Sequence, residues 1–89
     1  MEYGPLTPVS IVTQPPSTTT LSELYPLTLT VTAFGSAPLY QWYKDTVAIP
    51  GANGATYSIP SAAVEDSGVY TVTVGNSLGS LTSSQAQVT

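Results

Sequence analysis

Seven consecutive residues, Leu27-Thr28-Leu29-Thr30-Val31-Thr32-Ala33, alternate apolar and hydroxyl side chains without a break. Successive side chains of an extended strand point to opposite faces, so the run places Leu27, Leu29, Val31 and Ala33 on one side and three threonines on the other. A helical period of 3.6 does neither. The same period of two recurs in Val69-Tyr70-Thr71-Val72-Thr73-Val74, where Tyr70, Val72 and Val74 share a face, and in Leu39-Tyr40-Gln41-Trp42-Tyr43-Lys44, where Tyr40 and Trp42 do. Shorter β runs complete the set: Val9 to Gln14, flanked by prolines as suits an edge strand, then Val47 to Ile49, Ala55 to Ile59, and a last strand from Ser80 to Thr89. Turn residues separate them at Gly35 to Pro38, Asp45-Thr46, Pro50 to Gly54 and Asn76 to Gly79, with Asn53-Gly54 expected to supply positive φ. Ala62 to Glu65 is the one helix-prone patch and is expected to make a single turn. No internal repeat is visible. Seven to eight short strands set apart by turns predict an all-β chain folded as a Greek-key sandwich of two antiparallel sheets.

The length of 89 residues suits one domain with one core, read as residues 9–89 after a flank of residues 1–8. Hydrophobic residues make up 42% of the chain, which excludes disorder on composition, and only 7% are charged where about 25% is usual, so serine and threonine must supply the solvation. The net charge is −4 and Lys44 is the single cation, so nothing here can neutralise a row of phosphates; nucleic acid and anionic membranes are poor partners. Cysteine and histidine are absent, which removes thiol nucleophiles, imidazole bases, disulfides and ordinary zinc sites together. Every long apolar stretch is broken by threonine or proline, so no membrane insertion is expected. The N-terminus lacks the basic-then-apolar order of a signal peptide, so export would depend on a longer parent chain.

Three features converge on a family. Val31 is inward on its strand, Trp42 follows eleven positions later on the next, and Asp66-Ser67-Gly68-Val69-Tyr70-Thr71-Val72 leads into a further strand. With the Asn76-x-x-Gly79 turn, these residues resemble the I-set domains of the immunoglobulin superfamily over residues 9–89. In that family an Asp-x-Gly-x-Tyr-x-Cys run marks the turn into strand F; here valine 72 stands in the cysteine place, and the partner cysteine position falls on Val31. The segments around Trp42, Ile49 to Ala52 and Ala55 to Tyr57 look most like cysteine-free modules of bacterial surface and secreted proteins. The resemblance implies an immunoglobulin-like sandwich without its disulfide, a core of Leu29, Val31, Trp42, Ile59, Tyr70 and Val72, and turn roles for Asp66, Gly68, Asn76 and Gly79. It also implies that the Tyr70 hydroxyl bonds back to upstream backbone. Asp66 is expected to act as a local cap, since the chain has no arginine to pair with it. The missing bridge would close a loop of roughly forty residues, worth about 4 kcal/mol on a chain-entropy basis. Burying a valine contributes about 1.5 to 2 kcal/mol, so a packed Val31, Trp42, Val72 cluster can offset most of that loss.

No catalytic, cofactor or metal site is expected. Glu65-Asp66 is the only adjacent acidic pair, and neighbours along a turn do not face each other across a cleft. Glu2, Glu23, Asp45, Glu65 and Asp66 are too scattered for a calcium cage. Tyr43 and Leu39, with Thr71 and Thr73 beside them, are expected to point outward, and they form a candidate binding face for a glycan or protein. The reading is a non-catalytic spacer or repeat of an exported, extracellular or cell-surface protein, contacting neighbouring domains of the same parent. The alternatives are an adhesive or ligand-binding domain, using that face or the loops at 35–38 and 76–79, and an accessory domain of a secreted enzyme.

Overall fold

The computed structural model describes residues 5–89. Among them the strand segments are β1 (Ser10–Thr13), β2 (Thr18–Thr19), β3 (Leu27–Thr30), β4 (Thr32–Phe34), β5 (Leu39–Lys44), β6 (Val47–Ala48), β7 (Thr56–Ile59), β8 (Gly68–Asn76), β9 (Gly79–Thr82) and β10 (Ala86–Val88), with a 3₁₀ turn at Val64–Asp66. In one layer β1 pairs with β4 and β3 with β7, both antiparallel. The other runs in the order β2-β10-β8-β5-β6, with β9 also on β8. Every pairing in it is antiparallel except β2 on β10. This is the two-layered sandwich expected from the alternation, of the immunoglobulin-like kind that the family resemblance implied, and it holds no cysteine.

The core lies between the layers and is built from the inward positions of the alternating runs. Leu27, Leu29, Val31, Trp42, Tyr70, Val72, Ala86 and Val88 are all buried, and the threonines between them on β3 face solvent. Ile59 is half-buried and packs against this cluster from its edge.

Three details depart from the sequence reading. The Leu27 to Ala33 run is not one strand. Its first half pairs with β7 and its second with β1, and between them the Val31 amide donates to the Ala55 carbonyl at 2.9 Å. The β1–β4 register also slips between Ile11 and Thr13, and Ala33, opposite Ile11, is only half-buried. The last strand is likewise two segments. Ser83 lies opposite Val72 and Ala86 opposite Tyr70, so three residues advance against two on β8 and a one-residue bulge results. The bulge turns Ala86 and Val88 inward, where unbroken alternation from Ser83 would have sent Gln85. Finally, positive φ in the 50–54 turn falls on Gly51 (78°), not on Asn53-Gly54. Glu2 and residues 1–4 of the flank lie outside the described residues. Thr7 belongs with the sandwich: its amide donates to Ser36 Oγ at 2.8 Å and its carbonyl accepts from Asn76 Nδ2 at 2.9 Å.

Candidate functional site

Trp42 is fully buried on β5, directly opposite Val72 on β8, and its indole Nε1 donates to the Gly54 carbonyl at 2.8 Å. Its ring begins an aromatic row. Tyr57 lies 6.3 Å from Trp42 and 5.9 Å from Tyr70, centroid to centroid, within the range of aromatic pairs, and both pairs are tilted by about thirty degrees. This row lies across the centre of the sandwich with Val31 and Val72, both buried. Tyr57 was missed in the sequence. Its signal was the shared face with Ile59 on β7, weak because Ala55-Thr56-Tyr57-Ser58 offers few large apolar neighbours.

The turn residues hold one end. The Tyr70 hydroxyl donates to the Asp66 carbonyl at 2.6 Å, and the Asp66 carboxylate accepts the Ala63 amide at 2.8 Å, closing the 3₁₀ turn. Burial, with the Tyr57, Asp66 and Asp45 charges behind it, pushes the Tyr70 phenol up to about 12; burial and then Asp66 raise Tyr57. A Cβ on Gly68 would come within 3.0 Å of both Asp45 carboxylate oxygens, one of which accepts the Val69 amide. Lys44 donates to the Glu65 carbonyl, so the single cation also serves this turn. At the opposite end Asn76 accepts the Leu78 amide at 3.0 Å and donates to the Thr7 and Ser36 carbonyls, binding the 76–79 turn to the 35–38 loop; Gly79, with φ of 141°, returns the chain into β9. Ser83, also missed in the sequence, is the buried polar residue at the bulge. Its hydroxyl accepts the Val72 amide at 3.0 Å and donates to the Ser84 carbonyl.

Directly paired residues share a face, so Leu39, Gln41 and Tyr43 on β5 stand beside Gly75, Thr73 and Thr71 on β8, with Ser80 and Thr82 of β9 beyond. Tyr43, Thr71 and Thr73 are half-buried on this outer side. Here the sheet carries an open groove of about 630 Å³ that takes in Tyr43 and Thr73 but not Thr71, and it reaches both candidate loops through Ser36, Ala37, Asn76 and Ser77. The carboxylates do not converge: among the described residues no three metal-ligating side chains lie together. Among the described residues no helix is long and apolar enough to cross a membrane.

Comparisons with known proteins agree with this geometry. The profile of the immunoglobulin domain family matches residues 9–89. A decoration protein of Escherichia phage T5 is 43% identical over 75 residues, covering 82% of this chain and 46% of the relative, so the chain spans just under half that relative's length. Among solved structures, extracellular domains 3-5 of Drosophila OTK superpose with a TM-score of 0.80 at 26% identity, over 93% of this chain and 31% of that one. The tandem Ig repeats of Dlar do so at 0.82 and 23%, over 94% and 48%, a likeness of fold alone.

Proposed function

The chain belongs to the immunoglobulin domain family, and we propose that it is a non-catalytic module displayed on the outer surface of a phage particle within a longer polypeptide. The observation that carries this is the 43% identity to the phage T5 decoration protein. The segments around Trp42, Ile49 to Ala52 and Ala55 to Tyr57 resemble modules of bacterial surface and secreted proteins, but the relative points to a virion. The side chains support a structural role: Asp45 and Asp66 hold backbone amides, Tyr70 and Asn76 hold carbonyls, and Lys44 caps a turn. In this reading the module spaces or presents neighbouring parts of its parent. Antibodies raised against the 89-residue chain test it by electron microscopy. Labelling on the outside of intact virions is expected; labelling of the bacterial cell surface with bare virions would return the module to a cell-surface protein.

A second reading, a ligand-binding or adhesive domain, is favoured by the groove on the outer face of β5, β8 and β9. An accessory role beside a secreted enzyme differs only in what is attached, and a hydrolase domain in the parent chain would favour it.

A further inference from the structure

We propose that the groove on the outer face of β5, β8 and β9 binds an uncharged saccharide chain. This site deepens the adhesive reading and stands whichever surface displays the module.

Its shape comes from the backbone. Gly75 forms part of the floor, and a Cβ there would sit 3.0 Å from Ser80 Cβ, so any other residue would fill the notch. The volume of about 630 Å³ falls within the range of roughly 300–1,000 Å³ common for small-ligand clefts. The walls are already tied down. Asn76 joins the two loops, and Gln41 Nε2 donates to the Trp42 and Ile49 carbonyls, both at 2.8 Å. A ligand would therefore meet ordered walls and lose little affinity to ordering them.

The lining chemistry selects the ligand. Tyr43 and Leu39 offer apolar surface; Tyr43, Ser77 and Ser80 offer hydroxyls. Among the described residues no charged side chain lines the groove. The charged residues among those described are confined to the opposite end. Lys44, Asp45, Glu65 and Asp66 meet around the start of β8, and Glu23 adjoins Leu24, whose amide donates to Ala62 beside the 3₁₀ turn. A phosphate, sulfate or uronate would find no cation to repay its lost hydration. Serine is depleted in protein interfaces, whereas this lining sets Leu39 and Tyr43 among Ser36, Thr73, Ser77 and Ser80. A sugar ring, with apolar C–H faces and a rim of hydroxyls, matches aromatic and hydroxyl groups in alternation.

The test is titration of the 89-residue chain with maltohexaose, isomaltohexaose, cellohexaose and mannohexaose, with oligogalacturonate as the charged comparison, followed by amide chemical shifts. Saturable shifts confined to residues 36–43 and 73–80 are expected with at least one neutral hexasaccharide. Tyr43→Ala should weaken that binding tenfold or more, with Thr28→Ala on the other layer unchanged. Ser77→Ala, on an exposed turn, provides the same comparison with no core contact at risk, and at least a threefold loss is expected. No saturable response to any neutral probe would overturn the proposal, as would oligogalacturonate binding as tightly as the best neutral one. Concentration-dependent association of the chain that Tyr43→Ala abolishes, seen by sedimentation, would assign the face to a second copy instead.

Discussion

Trp42 packs with Val31 and Val72, which stand at the family's bridge positions, and its one polar side-chain atom is bonded to the Gly54 carbonyl. Trp42→Ala removes both the packing and the bond, and a loss of about 3 to 5 kcal/mol is expected in chemical denaturation. Ser83 is less conspicuous. Without its hydroxyl the buried Val72 amide has no acceptor, so Ser83→Ala should cost about 1 to 3 kcal/mol, against a few tenths for Thr28→Ala on the solvent face of β3. Equal effects of the two changes in parallel urea melts would remove the bulge from the list of stabilising features. Tyr70 links the core to pH. Its folded pKa is raised to about 12 from 10.0, so the neutral phenol is the form the fold favours. Between those values the unfolded chain has already lost the proton that the folded one keeps, and stability falls as pH rises through that window. The urea midpoint should decline from about pH 10 upward, and Tyr70→Phe should flatten that decline while leaving Tyr57 to contribute the remainder.

At the level of elements, the β5–β6 hairpin closes through Asp45 and Thr46, both with positive φ (50° and 69°). This is the turn that matches strand twist, and asparagine-glycine or aspartate-glycine fills it most easily. Asp45 is retained for its bond to the Val69 amide, but a β-branched threonine in the left-handed region is strained. Thr46→Gly should therefore stabilise the domain, by about 0.5 to 1 kcal/mol after the entropy of glycine is counted, and calorimetry should show a higher Tm. Gly35 is the converse case. At φ of 139° its Cβ would lie 2.8 Å from Val9 Cα, so the loop before β5 closes on the segment leading into β1 only through glycine.

For the molecule as a whole, the two layers are held together without covalent linkage. Val31 from one layer and Val72 from the other meet in the same cluster as Trp42, at the positions that the family resemblance assigns to its bridge. Val31→Cys with Val72→Cys should close a disulfide on mild oxidation, with free-thiol titration falling to zero and a gain that a loop of this length sets at about 4 kcal/mol or less. Two thiols that stay reactive in the folded protein would mean that the layers present these positions at the wrong separation. The polarity of the molecule is equally marked, with its described charges gathered around the 3₁₀ turn and its groove at the uncharged end.

By itself the sequence determined the fold class and the centre of the core. Alternation puts Leu29, Val31, Trp42, Tyr70 and Val72 inward, and the Asp66 to Tyr70 run carries its own turn, because these are local properties of period and backbone conformation. The tertiary structure decided what depends on partners distant in the chain. The break at Val31 exists because that strand changes partner, and the bulge at Ser83 because the last strand must turn Ala86 and Val88 inward while β2 joins it. The place of Tyr57 between Trp42 and Tyr70 needed the two layers to be brought together. The groove likewise brings together Tyr43, Gly75 and Ser80 through strand register, and no spacing along the chain encodes which residues end up side by side.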